Sequence, residues 1–230
     1  MASSLRKHYE RHAAAQAAAD AGDQVMHGDA YHLMHAQLWE DYRRLKSVQS
    51  IERKVAIKRE ILPNYAEYVD GVLEAGRGAE DEVLMRVMLW RIDVGDITGA
   101  LPIARYAMQH RLDPGEQFER STPAILADES ADRALALGDD DDSMLDALVE
   151  IDGLIEGADM HDQIRAKLHK ALGNGYRARG ELGDALDHYQ RAYQLNDRVG
   201  VKQDIDRIGK ALKKQAEEQP DQQPNNAQPG

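Results

Sequence analysis

The chain has no cysteine, so disulfides and thiolate metal sites are both unavailable to it. A single Phe and two Trp among 230 residues leave the core to Leu, Ile, Val, Ala, Met and Tyr. No apolar run approaches the ~20 residues that cross a bilayer. The N-terminus, MASSLRKHYERHAAAQAAAD, carries an alanine run but no signal-peptide hydrophobic core. Nine His are scattered without H-E-x-x-H or similar zinc spacing, and no Walker A sequence occurs. Strand-like alternation is not sustained anywhere. A secreted disulfide scaffold, a membrane protein and a P-loop ATPase are thereby excluded, and the protein is expected in the cytoplasm where it is made.

The remaining pattern is helical. Apolar residues recur at three and four, as in Leu33, Leu38, Tyr42 and Leu45. Start and stop signals predict a helix over 4–24, ended by Gly28-Asp29, and a second over 30–48. Ser50 is placed to cap a third helix, running to Ile61. Pro63 opens the next, since its missing N–H costs nothing in a first turn, and Gly76 and Gly78 close it. Segments 80–94 and 97–110 form a pair joined at Gly95-Asp96. Thr122-Pro123 and Ser143 read as further starts. The polar, Pro-rich segment from Gln215 cannot bury enough apolar surface to offset ordering entropy and is expected to be disordered. The fold class is therefore all-α. The expected parts are an N-terminal helical region over 1–61, a central core over 62–127, an acidic segment with further helices over 128–214, and a tail over 215–230.

An internal repeat supports hairpin architecture. Gly95, Ala100, Ala104 and Ala107 match Gly180, Ala185, Tyr189 and Ala192 at the same offsets, and Leu172-Gly173 with Tyr176 extends the second copy. This spacing resembles a tetratricopeptide repeat. Glycine permits the tight turn and small alanines let two antiparallel helices approach. Such a pair must stack on a neighbour, within the chain or from another copy, to bury its apolar face. A plain helical hairpin fits the same residues.

Net charge is −12, which argues against a nucleic-acid partner until its distribution is considered. Between Asp128 and Asp162 thirteen Asp/Glu face one Arg, and between Arg43 and Arg59 seven Lys/Arg face one Glu. Such asymmetry suggests separate jobs for separate parts. The basic cluster comprises Arg43, Arg44, Lys46, Arg53, Lys54, Lys58 and Arg59. Lys/Arg patches bind DNA by displacing condensed counterions from phosphates. On composition alone the simpler account is a solvated surface paired to Glu40, Asp41, Glu52 and Glu60. Asp139–Asp142 lack the spaced ligands and glycine of a calcium loop and read as a solubilising stretch. Glu80, Asp81, Glu82, Asp93 and Asp96, with Arg91, are the carboxylates available to a Mg²⁺-dependent nuclease, although Asp93 and Asp96 lie where Asp often caps a helix. Trp39, Trp90, Met85 and Met88 are expected in the core. For Tyr65 and Tyr68 the core is preferred over an oligomer contact.

Residues 62–108 carry a family resemblance. Leu62-Pro63, Gly71-Val72-Leu73-Glu74, Val87-Met88-Leu89-Trp90-Arg91, Gly95-Asp96 and Ile103-Ala104-Arg105-Tyr106-Ala107 resemble the small terminase subunit of temperate contractile-tailed phages. Weaker similarity extends from about Tyr31 to Lys214 and includes Arg165–Lys170. The resemblance implies a homo-oligomeric ring in the host cytoplasm. The ring binds the packaging-initiation (cohesive-end) site on double-stranded viral DNA and recruits the ATPase large subunit. On that footing the basic cluster becomes the candidate DNA contact, within an N-terminal DNA-binding region, and no cofactor or metal is required. The family also carries an endonuclease-subunit label, which would bring in Mg²⁺. An intrinsic nuclease and a tetratricopeptide-type protein scaffold without DNA binding remain the alternatives.

Overall fold

The computed structural model describes residues 4–115 and 119–218. Within them eleven α-helices and one 3-10 turn follow in order: α1 (Ser4–Ala21), α2 (Asp29–Lys46), α3 (Ile51–Ile61), the 3-10 turn (Leu62–Tyr65), α4 (Ala66–Ala75), α5 (Glu82–Val94), α6 (Ile97–His110), α7 (Thr122–Leu137), α8 (Leu145–Leu154), α9 (Asp162–Arg179), α10 (Leu182–Leu195) and α11 (Lys202–Glu218). The all-α expectation holds. Among the described residues, extended pairing is limited to one bridge between Val25 and Glu80. No helix there is long and apolar enough to cross a membrane.

The local signals act largely as expected. Ser50 caps α3 by accepting from Arg53 N at 3.3 Å. Asp81 caps α5 through Leu84 N, and Asp96 caps α6 through Gly99 N, both at 3.0 Å. The hairpins α5–α6 and α9–α10 turn at Gly95 (φ 85°) and Gly180 (φ 86°), the positions that the repeat aligns. Ala100, Ala104 and Ala107 in one hairpin, and Ala185, Tyr189 and Ala192 in the other, are all buried.

Several boundaries and placements differ. Helix α1 ends at Ala21, because the chain turns at Gly22 (φ 67°) and then runs extended to bridge Glu80. Ser143 caps nothing: its hydroxyl bonds Asp141, and α8 starts at Leu145. The Thr122 hydroxyl donates to Leu112 O at 2.6 Å, fastening α7 to the segment after α6 instead of capping. Residues 215–218 are the last turn of α11, so the helix runs into the stretch expected to be disordered; the rest of that stretch lies outside the described residues. Trp39 is 41% exposed, stacked edge-on with Tyr42 on the outer side of α2, so it is not a core residue. Trp90, Met85, Met88, Tyr65 and Tyr68 are buried.

One buried core runs from Ala14 to Leu172, and a smaller cluster joins Ala185, Tyr189, Ala192, Val201 and Ile208. The acidic segment is strapped to α9. Lys167 bridges Asp128 and Asp132, Arg177 reaches Asp139 O, and Arg179 holds Asp142 and Asp146. Its carboxylates are therefore partly neutralised within the chain. Between α9 and α10, the His169 and His188 Nδ1 atoms lie 3.0 Å apart, with Tyr176 stacked on His188.

Two contacts set the geometry of the N-terminal half. Helix α1 crosses α4 on an alanine seam of Ala14, Ala17, Ala18 and Ala21. A Cβ at Gly71 would fall 2.3 Å from Arg11 O and 2.9 Å from the Ala14 Cβ. Gly71→Ala should therefore cost about 1–3 kcal/mol in urea unfolding. Gly209→Ala, in a helix with open space at the Cβ, should gain up to about 1 kcal/mol. The second contact is Asp81, 1% exposed, which accepts from Leu84 N and from Tyr68 Oη at 2.7 Å. Burial pushes its carboxyl up to about 6 from the usual 3.8. The fold thus binds a proton more readily than the unfolded chain. Its stabilising effect is complete below pH 3.8 and is lost as pH rises through 6. The stability of Asp81→Asn relative to wild type should rise by about 2 kcal/mol between pH 4 and pH 7, and parallel unfolding curves at the two pH values will show whether it does.

Candidate nucleic-acid interface

Helices α2 and α3 meet at a corner over residues 47–50, and the seven predicted cations are divided among the end of α2, the start of α3 and the end of α3. Arg43, Arg44 and Lys46 occupy the last turn of α2, and Lys58 and Arg59 that of α3. Cations are favoured there because the helix dipole is negative at that end. The structure divides the cluster in two. Arg44 makes a two-pronged pair with Glu60, at 2.8 and 3.0 Å. Lys58, its side chain only 15% exposed, pairs with Asp93 of α5. Arg59 donates to Val94 O at 3.1 Å. These three fasten α3 to its neighbours. Lys46 lies over the Tyr42 ring, 4.8 Å from its centre. Arg43, Arg53 and Lys54 have no ion-pair or hydrogen-bonding side-chain partner among the described residues, and the first two are exposed.

A cleft of about 370 Å³ opens beside this corner, with Lys46, Lys54, Lys58 and Arg86 on its walls against Asp93 and Glu129. Burial, reinforced by Asp93 and Asp128, raises the Glu129 carboxyl above its usual range. Arg86 and Glu129 were not apparent from the sequence. Arg86 sits in a nearly continuous apolar run, and only its reach over the Tyr42 ring, at 5.2 Å, brings it to the cleft. Glu129 lies in the acidic segment, far along the chain.

The carboxylates proposed for metal chemistry are engaged one by one. Glu80 accepts from Asp113 N, and burial raises its carboxyl above the usual range. Asp81 is the buried cap of α5. Glu82 meets His35 at 3.0 Å. Asp93 pairs with Lys58, and Asp96 caps α6 while holding Arg91 at 2.6 Å. Glu80, Asp81 and Glu82 do border one wide cleft of about 800 Å³ with Tyr31 and Trp39, but Asp93 and Asp96 lie elsewhere. Among the described residues no group of three or more His, Asp or Glu is placed to hold a metal ion. Asp139–Asp142 are likewise turned to α9 and to Ser143.

The family described as phage small terminase subunit matches residues 35–163. The chain is 44% identical over 223 residues to the terminase, endonuclease subunit, of Escherichia phage P2, covering 96% of this chain and 90% of that one. It is 21% identical over 198 residues to the probable terminase, endonuclease subunit, of Haemophilus phage HP1, covering 79% and 70%. No solved structure matches it. The match takes in α3 to α8 and most of α2, the helices that hold the basic corner and its cleft, and the chain belongs to the phage small terminase subunit family, with a role in phage DNA packaging.

Proposed function

We propose that this small terminase subunit binds double-stranded viral DNA at the packaging-initiation (cohesive-end) site and brings it to the ATPase large subunit, in the host cytoplasm. The observation that carries the reading is the set of uncommitted cations at the α2–α3 corner: Arg43, Arg53 and Lys54, beside the lysine-lined cleft. About half of the chain's other cations, Arg105, Lys167 and Arg179 among them, are tied to its own carboxylates. Arg44 and Lys58 act indirectly here, holding α3 in place with the help of Arg59, while Lys46 adds to the field. The patch on one subunit is weak. A homo-oligomeric ring would repeat it around an axis, so that modest affinity per copy becomes avidity.

The names of the two related phage proteins include an endonuclease subunit. We assign cleavage to the assembled terminase and not to a metal site in this chain, because Asp81, Asp93 and Asp96 are each committed to a helix cap or an ion pair.

Binding to a cohesive-end duplex and to a scrambled one, across a salt series, tests the proposal. Arg43→Glu/Arg53→Glu/Lys54→Glu is the variant to use, since it spares the ion pairs of Arg44 and Lys58. Wild type should prefer the end site. The variant should lose binding, with log K against log salt flattening by about 0.9 per phosphate contact removed. Its unfolding free energy should stay within about 0.5 kcal/mol of wild type. If wild type binds neither duplex at low salt, the protein-scaffold reading replaces this one. Nicking of the end site by this chain alone with Mg²⁺ would instead restore the nuclease reading.

A further inference from the structure

Three arginines from three helices converge on the α5–α6 turn, residues 94–99. Arg59 of α3 donates to Val94 O at 3.1 Å. Arg91, in the last turn of α5, reaches forward to Asp96, and its Nη1 lies where Gly99 leaves room: a Cβ there would be 2.0 Å away. Arg133 of α7 lies against Gly95, where a Cβ would be 2.9 Å from Nη2 and 3.1 Å from Nε. Two glycines thus keep the turn bare, and two guanidinium groups occupy the cleared space.

Charge and hydrogen bonding at this turn are unbalanced. Of the nearby carboxylates, Asp96 is shared between Arg91 and the α6 cap, Asp93 is paired with Lys58, and Glu129 lines the 370 Å³ cleft and meets Arg120 at 3.6 Å. Arg133 has no hydrogen bond or ion pair among the described residues. The Nε atoms of both Arg91 and Arg133 are buried without a partner. A buried donor left unsatisfied costs about 1–3 kcal/mol, more when charged, so each Nε needs a partner that the protein itself does not supply, a water, an ion or a ligand. Arg59 and Arg91 also line an open cleft of about 380 Å³ with Pro63, Gly95 and Asp96.

We infer that Arg59, Arg91 and Arg133 form a seat for a phosphoryl oxyanion, and that its occupant is a backbone phosphate of duplex DNA. Guanidinium forks match phosphate oxygens two at a time, which a lysine cannot do. DNA is the favoured source because of α3. Its last turn presents Lys58 to the 370 Å³ cleft and Arg59 to this turn, so the seat extends the basic corner along the same helix. This assignment rests on the DNA-binding reading above. It adds Arg91 and Arg133, outside the basic run, to the contact surface.

The test is duplex binding by wild type, Arg133→Gln, Arg133→Lys and Arg91→Gln/Arg133→Gln over a salt series, with unfolding curves for each. A parallel series replaces chloride with inorganic phosphate at matched ionic strength. Arg133→Gln should flatten log K against log salt by about 0.9, equally for end-site and scrambled duplexes. Arg133→Lys should keep most of the slope while binding more weakly. Arg133→Gln should not lower stability, because it removes an unsatisfied donor. Inorganic phosphate should compete with DNA more strongly for wild type than for Arg133→Gln. An unchanged slope, or lost stability with an unchanged slope, would mean that Arg133 only braces the turn. Arginine-dependent phosphate binding with unaltered DNA binding would make the seat one for a free anion and overturn the assignment to DNA. If wild type binds no duplex at all, the DNA reading fails first and this inference falls with it.

Discussion

Helix α5 is apolar around most of its circumference, and this obliges the rest of the chain to cover it. Val83, Leu84, Met85, Val87, Met88, Trp90, Ile92 and Val94 are all buried. So broad an apolar face is stable only when several neighbours pack on it. Helices α2, α3, α6 and α7 and the 3-10 turn all pack on it. Its polar ends are satisfied by dedicated groups: Asp81 with Tyr68 at the start, and Gly95 in a left-handed turn at the finish. Its few charged residues reach the surface at the edges of this packing. Arg86, Arg91 and Asp93 are placed there, and each meets a charge or ring from another element or a nearby turn.

That arrangement explains how a strongly acidic chain presents a cationic corner. Much of the acid between Asp128 and Asp162 is held by Arg105, Lys167, Arg177 and Arg179, so the charge count overstates its free negative charge. On the α3 side the balance is reversed. Arg44, Lys58 and Arg59 anchor the helix, and Arg43, Lys46, Arg53 and Lys54 have no carboxylate of their own. The packing role and the binding role therefore fall on neighbouring residues of one helix.

The helices and their caps were legible in the sequence because they depend on local chemistry. Ser50, Asp96, Gly95 and Gly180 act where spacing placed them. What depends on distant contacts was not. Trp39 appeared apolar enough for the core, but α2 turns it outward, and its ring packs against His35 and Tyr42 instead. Ser143 has the chemistry of a cap, but Asp141 two residues earlier takes its hydroxyl. At the candidate site the cluster of cations could be read off the chain. Its division into anchoring and uncommitted members could not, since Asp93 and Val94 lie more than thirty residues away from their partners on α3. Arg133 had no sequence signal at all, because its significance comes from the bare surface that Gly95 leaves beneath it.

The histidine pair between α9 and α10 has a consequence for the whole molecule. Two Nδ1 atoms 3.0 Å apart accommodate one proton between them. Burial holds His169 down to about 4, opposed by Asp152 and reinforced by His188, Arg191 and Arg165, and burial also holds His188 below its ordinary value. The neutral pair stabilises the hairpin above pH 6.5, and that contribution fades as acid charges the two rings. Asp81 behaves in the opposite sense, favouring its proton in the folded state. Mild acid therefore tightens the joint between α4 and α5 while it loosens the C-terminal hairpin, so the two halves of the protein sense pH with opposite sign.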